Sequence, residues 1–143
     1  MKRHSYLFLA FAVGKWTGQT CSKMIGDFKR SLRSSGRGEK VEVFTDGNDD
    51  YTYAFPVFFK VKSLNYAQLI KIRDANGKLV RKEIRVVYGD PDRGDVETVN
   101  VENFNSILRE RVGRLVRKTK CFSKKKLRLG CALSLFQFYW NFI

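Results

Sequence analysis

The chain has no CxxC pair, its cysteines Cys21, Cys121 and Cys131 stand far apart, and its single histidine, His4, is near none of them. A structural zinc site needs closely supplied sulfur and imidazole ligands, so that class is set aside. An odd number of scattered thiols gives no disulfide framework either. The three are expected to be reduced and mostly buried, as in a cytoplasmic protein. Long apolar runs are missing as well. The run over residues 6–13 falls far short of the roughly 20 residues of a membrane span, so no membrane partner is expected. Lys2 and Arg3 imitate the start of a secretory leader, but Lys15 and Trp16 follow where a small-x-small cleavage site would stand. No internal repeat or low-complexity tract is present. Acids are scarce: 14 Asp and Glu face 28 Lys and Arg, a net charge of +14.

That surplus on 143 residues points to a polyanionic partner, nucleic acid first. Length allows one domain or part of one, and 43% hydrophobic with 14% aromatic residues is enough for a folded core. Residues 6–13 read as a buried strand, 14–18 as a turn and 19–25 as its hairpin partner. Residues 27–34 read as a short helix on Phe28 and Leu32. A compact strand then runs through Val41, Val43 and Phe44 and stops at Asp46-Gly47, a strand end of the kind where α/β sheets present ligands. Residues 51–62 contain Pro56 and read as an irregular or edge segment. Residues 63–72 suit a strand or a short helix. Asp74 to Gly77 is a hairpin turn into a strand with Leu79, Val80, Ile84, Val86 and Val87, and residues 89–98 form a loop.

The organising stretch is 100–123. From Val101, the residues Phe104, Leu108, Val112 and Leu115 recur at helical spacing as an apolar stripe. Glu102 lies off it and heads a polar line through Asn105, Ser106 and Arg109, with Asn100 as the expected N-cap. Taken singly, Glu102 is a surface acid matched to the helix dipole, and Asp46-Gly47 is an ordinary turn. The cations Arg109, Arg111, Arg114, Arg117, Lys118, Lys120, Lys124, Lys125, Lys126 and Arg128 follow with only Glu110 in opposition. Such a run has the footprint of a phosphate-tracking surface. Residues 124–143, with Ser123 as N-cap, read as a helix apolar on nearly every face. It is expected to bury against this domain, a missing piece of it or another subunit.

The string Arg114 to Ser123, RLVRKTKCFS, preceded by a helix opening on Glu102, resembles the C-terminal motif of DDE transposases of the insertion-sequence IS-one type. Thr45, Asp46, Gly47 and Tyr51 resemble that family's second acidic motif. The resemblance implies an α/β, RNase H-like mixed sheet with helices, in which residues 5–25 supply the second and third strands and 42–45 the fourth. The first strand and its catalytic Asp have no counterpart here, so residues 1–143 read as a partial, N-terminally truncated catalytic domain. The interval from Asp46 to Glu102 marks the Asn76-Gly77 hairpin as an insertion. Asp46 and Glu102 are then catalytic metal ligands for part of a two-Mg2+ site. Asn105, Arg109, Arg114, Arg117, Lys118, Lys120 and Lys124 would contact DNA. The implied function is metal-dependent DNA cleavage and strand transfer, incomplete in this chain alone. A non-catalytic basic nucleic-acid-binding protein is the alternative, and a secreted cationic protein a third reading.

Overall fold

The computed structural model describes residues 6–32, 40–92, 94, 99–116 and 120–143. It is α/β, with a three-stranded mixed sheet and four helices among those residues. The chain divides into two compact units, a helical one (Met1–Ser31 with Val99–Ile143) and a sheet unit (Leu32–Thr98).

In the sheet unit, β1 (Val41–Asp46) runs parallel to β2 (Leu64–Arg73), and β2 pairs antiparallel with β3 (Leu79–Tyr88), giving the order β1-β2-β3. Parallel neighbours need a crossover, and α2 (Asp50–Phe58) supplies it. The central strand is buried on both faces: Leu64, Tyr66, Ala67, Gln68 and Leu69 are each below a tenth exposed. β3 is a charged edge whose residues 79–86 are all exposed, with Arg81 and Glu83 paired at 2.6 Å. The β2–β3 turn is as expected. Asp74 Oδ1 accepts the Asn76 and Lys78 N–H groups at 3.0 and 2.8 Å, and Gly77 supplies the positive φ of 78° that a side chain would resist.

Residues 51–62 were expected to be irregular because of Pro56, yet residues 51–58 lie in α2 and only the end of the segment leaves it. Proline removes the helical hydrogen bond to the carbonyl four residues earlier, here Thr52. The Tyr88 hydroxyl from β3 donates to that carbonyl at 3.0 Å instead. One strand side chain thus repairs the defect and ties helix to sheet, while Phe55 packs on Tyr66 at a ring separation of 4.9 Å.

The helical unit differs more from expectation. Residues 19–25 are not a strand, and with 6–13 they form no hairpin. They belong to α1 (Gly18–Ser31), so no second and third strands precede β1 among the described residues. Cys21, Met24, Ile25 and Phe28 recur at helical spacing, a pattern visible only when 19–25 is read on through Asp27. Thr17 Oγ1 accepts the Thr20 N–H at 3.4 Å, as an N-cap does.

Residues 6–13 have no regular structure. Their backbone is bound by side chains of α4 (Lys126–Phe142), not by a neighbouring strand. The Asn141 amide both accepts the Phe8 N–H at 2.9 Å and donates to the Phe8 carbonyl at 3.0 Å, the pair of bonds a strand would otherwise supply. Gln137 donates to the same carbonyl at 2.6 Å and the Trp140 indole to Tyr6 O at 2.9 Å.

Phe8 is thereby held in a core with Phe104, Leu108, Val112 and Leu133. Burying one such side chain is worth about 2–3 kcal/mol. The stripe on α3 (Val99–Arg111) is therefore as expected, but Asn100 lies inside the helix and is not its N-cap. α3 also stops at Arg111, and Gly113–Leu115 follows as a 3-10 turn.

Ser123 does not cap α4 either; Lys125 holds that position without a side-chain cap, and Ser123 Oγ accepts from Arg114 Nη1 at 3.1 Å. Of the α4 side chains only Leu133 is fully buried, so the described residues of this chain cover one side of the helix. Leu127, Leu135, Phe138 and Phe142 are more than half exposed. The cysteines are not mostly buried: Cys21 is half-buried, Cys121 and Cys131 exposed. No helix among the described residues is long and apolar enough to cross a membrane.

The Pro56 repair gives a stability test. Tyr88→Phe should lower the urea-unfolding free energy by about 1–2 kcal/mol, the cost of an unsatisfied carbonyl. In a Pro56→Ala background, where residue 56 can donate to Thr52 O, the same change should cost measurably less.

Candidate functional site

The strand end at Asp46 is built over a buried amide. Alternation along β1 places Thr45 beside Tyr66 and Gln68 on the α2 side and sends Asp46, with Phe44, to the other side. Gln68 is fully buried. Its amide group donates to the Asn48 carbonyl at 2.9 Å and to the Tyr66 hydroxyl at 2.8 Å, and its carbonyl accepts from Arg85 Nε at 2.9 Å. The Arg85 guanidinium also pairs with Asp49.

The donors can be followed in order. Thr45 Oγ1 donates to the Asp46 carbonyl at 2.9 Å, so the Tyr66 hydroxyl donates to Thr45 Oγ1 at 2.9 Å and accepts from Gln68. Every proton in the row from Arg85 to Asp46 has one destination, and no buried side-chain polar atom among the described residues lacks a partner. The corner Asp46-Gly47-Asn48-Asp49 is therefore fixed from beneath, and Asn48 Oδ1 accepts the Asp50 N–H at 3.0 Å as α2 begins.

Within this corner the two acids differ. Asp49 is taken by Arg85. Asp46 is exposed, accepts the Asn48 N–H at 3.3 Å and has no ion pair among the described residues. Burial pushes the Tyr66 phenol up from 10.0 to about 12; the hydrogen bonds with Thr45 and Gln68 oppose that shift and the charge of Asp46 adds to it. An open hollow of about 420 Å³ lies beside the corner, bounded by Asp49, Thr52, Tyr53 and Arg85.

Glu102 lies in the first turn of α3, exposed, in the helical unit. The polar line below it is present: Asn105, Ser106 and Arg109 are exposed, and Ser106 Oγ donates to the Glu102 carbonyl at 3.3 Å. Arg114, Lys120 and Lys124 are exposed in the same unit, with Arg111, Lys125, Lys126 and Arg128. Arg117 and Lys118 lie outside the described residues. No three His, Cys, Asp or Glu side chains come together as a metal-holding group among the described residues.

Tyr66, Gln68 and Arg85 were not singled out by sequence reasoning. The available signal was Gln68, a polar residue two positions from Tyr66 in an otherwise apolar strand. No family model, curated protein or solved structure matches the chain.

A phenol that ionises near 10 when unfolded and about 12 when folded keeps its proton longer in the folded state, so stability should fall as pH rises through that window. Absorbance at 295 nm should show a late tyrosinate step near the raised Tyr66 value. Tyr66→Phe should remove that late step. Gln68→Leu, which strips partners from Tyr66, Arg85 and Asn48 together, should cost about 2–3 kcal/mol in urea unfolding.

Proposed function

We propose that the chain is part of the catalytic core of a DDE transposase that cuts and joins DNA with Mg2+, with an RNase H-like arrangement of its sheet and a place of action in the cytoplasm. The observation that carries this reading is the corner at Asp46. An acid without an ion pair among the described residues closes the first strand of a parallel β1–α2–β2 unit, at the carboxyl edge where such sheets present ligands, while its neighbour Asp49 is engaged by Arg85. The parallel pair with an antiparallel third strand is compatible with that fold.

The donor set suits a hard cation in type but not in number. Asp46 and Glu102 offer carboxylate oxygens of the kind Mg2+ takes, and the described residues do not complete a metal site. The work assigned to this chain's own residues is therefore to bind and orient the strand. Arg109, two turns below Glu102 on α3, with Asn105, Arg114, Lys120 and Lys124, would meet phosphates, and the same role is assigned to Arg117 and Lys118. Two metal ions, when bound, would supply charge stabilisation at the scissile phosphate.

A non-catalytic nucleic-acid-binding role is the second reading, favoured by the exposed cations alone. It differs in what the two acids should do. Contacts to some six phosphates predict a slope of about −5 for log K against log salt on duplex DNA, and Asp46→Ala or Glu102→Ala should leave that binding unweakened. Translated in continuity with the reading frame upstream of the Met1 codon, the chain should nick supercoiled plasmid with Mg2+, and either substitution should abolish nicking. Binding without nicking, or nicking that persists in both variants, would contradict the transposase reading.

A further inference from the structure

The outer side of α4 is apolar and open. Leu135, Phe138 and Tyr139 are 71%, 57% and 56% exposed. With Arg111, Arg114 and Ile143 they bound a hollow of about 590 Å³ whose lining lies wholly within the helical unit. The inner side of the same helix is already used, since Leu129, Leu133, Phe136 and Trp140 pack into the core around Phe104. The outer residues are thus a second face. Its rings are clustered: Phe138 and Phe142 lie 5.3 Å apart, and Phe142 is 75% exposed.

The chemistry of the lining narrows the occupant. Two guanidinium groups stand at an aromatic and aliphatic floor, and no acid lines the hollow. A second copy of the chain would bring another +14 to this surface, so like charges oppose self-pairing here. A ligand with regularly spaced anions and flat apolar faces satisfies both features. Duplex DNA presents the anions but hides its base faces in the stack, whereas an unpaired strand presents both. We propose that this hollow binds unpaired nucleotides of a DNA strand, with bases stacked on Phe138 and Tyr139 and phosphates met by Arg111 and Arg114. The inference rests on the DNA-binding reading above and adds to it a strand state and a place.

The test compares three labelled DNAs by fluorescence anisotropy: a blunt duplex, the same duplex with a short unpaired tail, and the tailed duplex with abasic tail positions. The tail should raise affinity by about five- to a hundredfold per stacked base, and the abasic tail, which keeps its phosphates, should lose that gain. Phe138→Ala and Tyr139→Ala truncate exposed rings. Each should reduce the tail's contribution while leaving the blunt duplex unchanged, and Leu127→Ala, an exposed α4 side chain outside the hollow, should leave the tail's contribution intact. A blunt duplex that binds while the tail adds nothing, or an abasic tail as good as a natural one, would overturn the proposal. So would sedimentation showing a dimer that the ring substitutions break while tail affinity stays. Failure to bind the blunt duplex at all would defeat the DNA-binding reading instead, and this inference with it.

Discussion

The side chain of Gln68 is the constraint on which the sheet unit depends. A fully buried primary amide is costly unless all its capacity is used, and here it binds the loop after β1, a neighbouring phenol and the guanidinium on β3. Those bonds join all three strands to the Asp46 corner. Asp46 itself makes few contacts, so its position is set by what lies beneath it. Tyr66 adds the electrostatic side: its raised pKa reflects a dry interior next to an exposed carboxylate.

The helical unit is organised by a different device. Phe8 occupies the core, and the Asn141 amide serves both its N–H and its C=O. An irregular segment can lie in a half-buried position only when its backbone groups find partners, and α4 provides them from Asn141, Gln137 and Trp140. That use of the inner face leaves the outer face of α4 apolar and exposed, close to the arginines that end α3.

How much of this was legible in the sequence follows from how local each signal was. The end of β1 at Asp46-Gly47, the turn at Asp74 to Gly77 and the stripe Phe104, Leu108 and Val112 are written in neighbouring residues. Residues 6–13 were not legible, because their partners stand more than a hundred positions away on α4. Residues 51–58 misled because Pro56 predicts a broken helix only if nothing replaces the lost donor, and Tyr88, distant in sequence, does so. The exposure of one side of α4 was not legible, because apolar residues on every face imply burial by something, without saying by what. Around the Asp46 corner, the strand end was visible from its Asp-Gly pair, whereas Gln68 was not, since an amide within a strand acquires meaning only from the side chains that converge on it.

The central claim is that the buried Gln68 amide holds the Asp46 corner in place. The most direct measurement is hydrogen exchange of the Asn48 and Asp50 amides, followed by NMR, in the unaltered protein and in Gln68→Leu. The account predicts that both amides exchange faster in the variant while those of the Asp74 to Gly77 turn keep their rates. Unchanged exchange at Asn48 and Asp50 would contradict it.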